Sequence, residues 1–222
     1  TDKTGTLTQN KMHVTAIFAD GELNANLIDI KKAEPWPTLF RALALSNDAH
    51  QDQHDKVRGE PTEVALLHAA QAAGWKKDRL ENESPRLKEL PFDSVRKRMT
   101  TFHGANGKII AYTKGSPESV IPCCTSVLTA SGEQTIGYAA LLLQAEAMAA
   151  DGLRVLAIAS RHWAALPEDH NPVELERELV FLGFIGLIDP PRSEARKSVS
   201  LCKSAGITPV MITGDHPSTA RA

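Results

Sequence analysis

The chain has 222 residues, of which 42% are hydrophobic and 23% charged, and its 25 Lys and Arg stand against 27 Asp and Glu for a net charge of −2. This balance is typical of an ordinary globular protein and excludes a disordered, fibrous or disulfide-stapled chain. The basic residues form no run that would attract a phosphate backbone, so we expect no nucleic-acid partner.

The three cysteines form no recognisable framework. Cys123 and Cys124 are adjacent, and no Cys-x-x-Cys spacing is present, so we expect free, buried thiols in a reducing setting and no structural metal. The sequence also lacks a signal peptide and a run of about 20 apolar residues, the length that spans a bilayer. Because it starts at Thr1 without Met, we expect a soluble piece of a longer protein.

Hydrophobic periodicity and turn residues predict the elements of the first half in chain order. Pro61 stands where a proline suits the first turn of a helix, and 104–107 is a polar, Gly-containing connection of hairpin length. The predicted elements are a polar loop at 1–12, a strand with its turn at 13–21, helices at 35–47 and 61–74, and a β-hairpin at 98–113.

The second half is predicted to alternate helices and strands around a proline-rich connector. Two prolines at 189–192 oppose helix and sheet continuation, so we place a hinge there. The helix, strand, acidic loop and helix beyond it are one repeat of a parallel α/β sheet, which binds ligands at its carboxyl edge. The elements are helices from 116 and over 137–150, strands over 153–160 and 179–187, then a helix over 193–205, a strand over 208–212, a loop at 213–215 and a helix from 217.

The first chemical signal is the run 2–8, which reads Asp-Lys-Thr-Gly-Thr-Leu-Thr. A carboxylate can attack phosphorus if neighbours neutralise the charge on the incoming group, and Lys3 with the amides around Gly5 suits that task. A polar turn is the alternative for Asp-Lys-Thr alone. The whole run is identical to the phosphorylation motif of P-type ATPases, members of the haloacid-dehalogenase-like superfamily. The resemblance implies that Asp2 is phosphorylated and that Thr4 holds the phosphate and, through its carbonyl, Mg²⁺.

Thr4 also separates two enzyme classes. Related phosphatases place a general-acid Asp two residues after the nucleophile, whereas a threonine does not shuttle protons well at neutral pH. Thr4 therefore favours a phosphoenzyme that lasts. A phosphatase of the same superfamily and a non-catalytic adenine-nucleotide-binding module remain the alternatives.

Two further segments resemble nucleotide-binding motifs of the same family. Residues 59–63, Gly-Glu-Pro-Thr-Glu, are similar to Gly-Asp-Pro-Thr-Glu of type II pumps, which implies that Glu63 contacts the adenine amino group. An acid that caps a helix is the alternative. Residues 92–99 resemble the segment whose aromatic stacks on adenine, which implies stacking for Phe92 and nucleotide contact for Lys97. For Phe92, a core aromatic is the alternative.

Three more matches follow in the family's order. Residues 114–118 resemble Lys-Gly-Ala-Pro-Glu at the base of the nucleotide pocket, where Lys114 binds and Gly115 admits the ligand to the backbone. Residues 152–156 resemble the family's Gly-Leu-Arg strand, with Arg154 reaching phosphates and Leu156 lining the adenine pocket. The loop at 213–215 resembles Thr-Gly-Asp beside the phosphorylation site, which implies that Thr213 and Gly214 hold phosphoryl oxygens and Asp215 organises ATP and Mg²⁺.

These resemblances imply an α/β architecture in two parts. An α+β nucleotide-binding domain at 11–188, with an antiparallel sheet flanked by helices, is inserted into a haloacid-dehalogenase-like Rossmannoid phosphorylation domain represented by 1–10 and 189–222. ATP and Mg²⁺ are the implied cofactors. A transported cation, with Ca²⁺ as first expectation, and the cell membrane are partners through segments outside this chain. We expect this piece to lie on the cytoplasmic side and to bind nucleotide without completing turnover.

Overall fold

A large, mostly antiparallel sheet organises the chain, with helices against both of its faces. The computed structural model describes residues 1–25, 32–54, 56–105, 107–168 and 171–212. Its strands are β1 (His13–Ala19), β2 (Glu22–Asn24), β3 (His50–Gln51), β4 (Val57–Arg58), β5 (Arg86–Asp93), β6 (Arg98–Ala105), β7 (Lys108–Gly115), β8 (Cys124–Thr129), β9 (Gly132–Thr135), β10 (Arg154–Trp163) and β11 (Leu179–Ile188). Its helices are α1 (Trp36–Leu45), α2 (Pro61–Ala72), α3 (Lys77–Glu83), α4 (Pro117–Val120), α5 (Tyr138–Ala150), α6 (Pro172–Leu175) and α7 (Ala195–Ser204).

The sheet runs in the order β2-β1-β11-β10-β7-β6-β5, with β8 added parallel to β11 and β9 paired to β8. The short strands β3 and β4 form a separate ribbon. The antiparallel sheet flanked by helices is confirmed, and so is the β6–β7 hairpin, whose register runs from Arg98 opposite Gly115 to Ala105 opposite Lys108. Each strand of the hairpin is two residues longer than the sequence predicted.

Each face of the sheet has its own core. Leu39, Leu43 and Ala44 of α1 are all fully buried and pack with α2 against one side of the sheet. Met148 of α5 packs with Phe181 and Phe184 on the other side. Because β11 is covered on both faces, its residues form the nearly continuous apolar run that was recognised as a strand.

The end of the described chain departs from the prediction. The strand expected over 208–212 is wrong in extent, since only a parallel bridge between Asp2 and Ile212 forms. The Ile212 N–H donates to the Thr1 carbonyl at 2.9 Å, and the Thr1 amino group donates to the Val210 carbonyl at 2.7 Å. A strand needs a backbone partner along its length, but the chain turns away after Asp2 into a wide helical turn at Lys3–Leu7. The predicted loop at 213–215 and the helix from 217 lie outside the described residues.

Other expectations concern cysteines and membrane crossing. The cysteines are free, with Cys124 buried and Cys123 and Cys202 half-buried. Burial raises the pKa of the Cys124 thiol to about 12, so this thiol stays protonated at neutral pH. Within the described ranges, no helix has both the length and the apolar character that a bilayer crossing needs.

Candidate functional site

At one end of the sheet, a row of paired residues crosses four neighbouring strands. Asp93 of β5 pairs with Arg98 of β6. Arg98 also pairs with Gly115 of β7, which pairs in turn with Ala157 of β10. Neighbouring strands lie about 4.8 Å apart, so this row is about 14 Å wide. Most residues predicted to bind nucleotide lie within a few positions of it along the chain, namely Phe92, Lys97, Lys114, Gly115, Arg154 and Leu156.

Three of these side chains share the sheet face that α1 and α2 cover. Alternate residues of a strand point to the same face, and both Leu156 and Ile158 belong to the core beneath α1 and α2. Arg154 precedes Leu156 by two positions and is therefore on this face, exposed to solvent. Lys114 lies opposite Ile158 in the register and shares the face as well. A buried lysine, a half-buried leucine and an exposed arginine thus line one end of one face.

Glu63 reaches this face from the first turn of α2. The Glu60 carboxylate caps the helix, accepting hydrogen bonds from the N–H groups of Thr62 at 2.8 Å and Glu63 at 3.2 Å. The Glu63 carboxylate accepts hydrogen bonds from the Asp48 N–H at 2.8 Å and from the Lys114 ammonium. Glu60, and not Glu63, is therefore the acid that caps α2. Glu63 pairs with Lys114 instead.

The segment after α1 sets the position of α2. Gly59 has φ +152°, and a Cβ there would lie 2.9 Å from the Cα and Cβ of Ala49, so only glycine permits this approach. Asn47 is buried and its amide donates to the carbonyls of Leu43 at 3.0 Å and Glu63 at 2.8 Å. These contacts fix the first turn of α2 against the C-terminal end of α1.

The Lys114 ammonium, which faces Glu63, is almost completely shielded from water. The side chains of Lys114 and Glu63 are 8% and 14% exposed, and the Lys114 ammonium also donates to the Ser46 carbonyl. Burial holds the pKa of Lys114 below its usual value, although the neighbouring Glu63 carboxylate opposes the shift. The pair therefore presents a carboxylate and a weakly solvated ammonium side by side.

The turn between β5 and β6 is held by its first residue. Asp93 Oδ1 accepts hydrogen bonds from the N–H groups of Val95 at 3.0 Å and Arg96 at 2.8 Å. The hydrogen bond from the Arg96 N–H is the main reason that the pKa of Asp93 lies below its usual value. The turn closes at Lys97, which adopts φ +51° and donates its N–H to the Asp93 carbonyl at 2.6 Å.

Phe92 and Lys97 flank this turn, and both are exposed. The Phe92 side chain is 63% exposed. It is therefore not part of the core, which was the alternative prediction, and its ring is open to stacking. Lys97 Nζ lies 3.3 Å from Glu118 Oε1, with the two side chains 57% and 61% exposed. A surface pair of this kind contributes little to stability, so an incoming anion can compete for the lysine.

Gly115 has a packing role that the sequence did not predict. A Cβ at this position would lie 2.4 Å from the Lys97 carbonyl oxygen and 2.5 Å from the Arg98 Cβ. The space beside Gly115 is therefore filled by the β5–β6 turn. The Ser116 N–H donates to the same Lys97 carbonyl at 3.0 Å, so the glycine lets β7 and this turn lie close together.

The run 2–8 lies beside the connector 189–192. Asp2 is exposed and bridges to Ile212, and Lys3 and Thr4 contribute their backbone to the helical turn that follows. The Arg192 guanidinium donates to the Gly5 carbonyl at 2.9 Å, and the Arg192 N–H donates to the Leu7 carbonyl at 2.8 Å. One residue of the connector thus contacts the middle and the last residue of the turn that follows Asp2.

Asp189 makes the second connection between these segments. The Thr8 hydroxyl donates to Asp189 Oδ2 at 2.5 Å, and the Lys11 N–H donates to Oδ1 at 3.1 Å. The Gln9 N–H donates to the Pro190 carbonyl at 3.0 Å. The sequence predicts a hinge at the connector but not these contacts, because Thr8 and Asp189 are 181 residues apart and no local pattern relates them.

A metal site is not complete in the described part of the chain. Across residues 1–25, 32–54, 56–105, 107–168 and 171–212, no group of three or more His, Cys, Asp or Glu is arranged to hold a metal ion. Asp2 offers an exposed carboxylate, a suitable ligand for Mg²⁺ when phosphate oxygens supply further ligands. Thr213, Gly214 and Asp215 lie outside the described residues.

Comparison with known proteins gives consistent matches. A family model described as P-type ATPase, cytoplasmic domain N, matches residues 35–194. A calcium-transporting ATPase 1 of Bacillus cereus is 40% identical over 100% of this chain and 25% of its own length. A calcium-transporting ATPase 1 of Lactococcus lactis is 38% identical over 100% of this chain and 25% of its own. A cation-transporting ATPase of Synechocystis is 40% identical over 100% of this chain and 27% of its own length. The chain thus spans about a quarter of these relatives.

Proposed function

The chain belongs to the P-type ATPase family through the cytoplasmic domain N, and we propose that it binds ATP at the sheet end described above and presents the nucleotide to Asp2. The observation that carries this proposal is that three kinds of group lie at one end of the sheet: the exposed ring of Phe92, the buried Lys114–Glu63 pair, and the exposed cations Lys97 and Arg154. These groups come from α2, β5, the β5–β6 turn, β7 and β10, which are distant in sequence. Strands β5, β6, β7 and β10 are consecutive neighbours in the sheet, and Glu63 of α2 contacts Lys114 of β7.

The chemistry of this set suits adenosine triphosphate. Phe92 offers an open ring face on which a flat base can stack. The Glu63 carboxylate can accept a hydrogen bond from an exocyclic amino group. Lys97 and Arg154 are exposed cations that suit the triphosphate. Lys114 neutralises Glu63 and forms the base of the site, with Leu156 as its apolar wall.

Asp2 is the proposed phosphoryl acceptor. One of its carboxylate oxygens attacks the γ-phosphorus while the bond from that phosphorus to the β,γ-bridging oxygen breaks, so an aspartyl phosphate forms and ADP leaves. The Asp2 carboxylate and the Thr4 carbonyl would hold Mg²⁺, which would neutralise phosphoryl charge when bound. The other residues proposed to support the transfer are Lys3, Thr213, Gly214 and Asp215.

The activity of the whole protein is a further part of the proposal. The relatives are named as calcium- and cation-transporting ATPases, and we extend cation transport across a membrane, with Ca²⁺ as first candidate, to the protein that contains this chain. The nucleotide-binding unit is 11–188 and the phosphorylation unit comprises 1–10 and 189–222. Hydrogen bonds between residues 5–11 and 189–192 support placing both boundaries between the two units in these segments.

An ATP titration followed by amide NMR tests the nucleotide site. Phe92→Ala and Lys114→Ala are expected to weaken ATP binding, whereas Val95→Ala, a change at an 89% exposed residue of the same turn, is the matched control. The expected shifts lie at Glu63, Phe92, Lys97, Lys114 and Arg154. A folded chain whose amides at these positions do not respond to ATP contradicts the proposal.

The role of Asp2 is tested separately in the full-length protein. Asp2→Asn removes the nucleophilic oxygen with little change in shape, so ATPase activity is expected to disappear while ATP binding remains. Undiminished ATPase activity in this variant would remove Asp2 from the mechanism. Loss of activity with retained binding also excludes the non-catalytic binding module as the function of the whole protein.

A further inference from the structure

A buried carboxylate, Glu176, lies beneath the turn that joins β5 to β6. Its side chain is 0% exposed. Arg96 Nη1 lies 2.6 Å from each of its oxygens, and Arg98 Nε lies 2.7 Å from Oε2. The Thr100 hydroxyl donates to Oε1 at 2.8 Å. Charge-assisted hydrogen bonds of this length are among the stronger ones in proteins, so the carboxylate holds both arginines firmly.

The cluster is on the sheet face opposite Lys114. A hydroxyl carries one hydrogen, and since Thr100 gives its hydrogen to Glu176, Thr113 must donate to Thr100 across the 2.8 Å that separates their oxygens. Thr113 and Lys114 are adjacent in β7 and so point to opposite faces. Glu176 is therefore on the other side of the sheet from Lys114, and any influence it has on a nucleotide bound beside Lys114 passes through Arg96 and Arg98.

The two arginines connect Glu176 to β5 and to α4. Arg96 Nη2 donates at 2.9 Å to the carbonyl of Pro91, the residue before the exposed aromatic of β5. Arg98 Nη1 donates at 3.0 Å to the carbonyl of Ser119 in α4. Lys97 stands between the two arginines in the chain. Glu176 thus supports the whole segment that presents the proposed stacking ring and the proposed phosphate-binding lysine.

The charges make this support depend on the carboxylate. One negative charge faces two positive charges, and the three side chains are 0%, 20% and 15% exposed for Glu176, Arg96 and Arg98. Without the carboxylate, two poorly solvated guanidinium groups would be unpaired and would repel each other. Glu176 is itself anchored, because Leu175 before it is 1% exposed and packs with Phe102 in the core of this face.

We infer that Glu176 is a positioning residue of the nucleotide site: from the far face of the sheet it holds Arg96 and Arg98, and thereby the orientation of Phe92 and Lys97. The inference rests on the proposed ATP site. A group that acts in this way changes the affinity of the folded protein for ATP, whereas a purely structural ion cluster changes only the stability of the fold.

The experiment compares Glu176→Gln with Glu178→Gln in the 222-residue chain. The first keeps the side-chain shape and removes the charge; the second removes a charge two positions away that pairs with Arg161 at 2.5 Å. ATP dissociation constants are measured by calorimetry on samples that circular dichroism shows to be folded. Glu176→Gln is expected to bind ATP about tenfold more weakly, the equivalent of one charge-assisted hydrogen bond. Its amide resonances at 92–97 are expected to move even without ATP, and Glu178→Gln is expected to match the unsubstituted chain.

A folded Glu176→Gln chain that binds ATP as tightly as the unsubstituted chain overturns the inference. Where this variant does not fold, Glu176→Asp replaces it, since the shorter side chain keeps the charge but retracts the carboxylate. Weakened ATP binding by the folded Asp variant supports the inference, and unweakened binding overturns it. If the unsubstituted chain and Glu178→Gln also fail to bind ATP, the proposed nucleotide site itself fails, which is a different result.

Discussion

Replacing Lys114 by Met is expected to lower the free energy of unfolding by about 3 kcal/mol, because removing one member of a buried ion pair leaves the other charge uncompensated. The two side chains are only 8% and 14% exposed, so water replaces the missing partner poorly. Glu63 keeps the hydrogen bond from the Asp48 N–H, but the Ser46 carbonyl also loses its ammonium donor. Glu63→Leu is expected to cost a similar amount, since it leaves the Lys114 cation buried.

The double variant distinguishes pairing from simple packing. Glu63→Leu combined with Lys114→Met leaves no unpaired charge, and the remaining cost is that of the Asp48 N–H and the Ser46 carbonyl, which lose their hydrogen-bond partners. We therefore expect a total loss of about 3 kcal/mol instead of about 6 kcal/mol. The coupling energy between the two positions is then about 3 kcal/mol. The double variant is also expected to bind no ATP although it is as stable as either single variant, which separates binding from folding.

Urea unfolding followed by circular dichroism at neutral pH measures these stabilities. Lys97→Met is the control, because Lys97 pairs with Glu118 at 3.3 Å on the surface and its loss is expected to cost less than about 1 kcal/mol. If the two single costs add in the double variant, or if Lys114→Met costs no more than Lys97→Met, the buried pair does not contribute as described.

Three further outcomes are expected. Burial lowers the pKa of His103 from 6.5 to about 4, so below pH 6.5 the unfolded chain takes up a proton that the folded chain refuses until about pH 4. Unfolding free energies should therefore fall by about 3 kcal/mol over that range, and His103→Gln should lack this part of the pH dependence in urea titrations. Phe92→Ala should weaken ATP binding by about 1 kcal/mol, the value of one aromatic stack, while leaving the melting temperature unchanged; equal weakening by Val95→Ala would argue against stacking. Gly115→Ala should cost about 2 kcal/mol through overpacking. The control is Gly137→Ala at the N-cap of α5, whose Cβ would meet its nearest neighbour at 3.8 Å and which should cost less than about 1 kcal/mol in the same thermal melts.

Local chemistry explains why most elements could be predicted. The apolar spacing of α1 and Pro61 at the start of α2 act within a few residues, and the structure confirms both helices. The strand expected over 208–212 was wrong because a strand also needs a partner, which the described chain provides only at the bridge to Asp2. The role of Gly115 in admitting a ligand stays a prediction, and the structure adds a packing role, since its Cβ position faces the β5–β6 turn, a contact that no local pattern contains.

By itself, the sequence determined the residue types of the candidate site and the resemblance of the run 2–8 to a phosphorylation motif, because both are properties of short segments. Only the tertiary structure decided which charges face each other. Lys114 meets Glu63 across 51 residues of chain, and Arg96 meets Glu176 across 80. Contacts at such separations depend on the order and register of the strands, which set which face and which end of the sheet each side chain occupies.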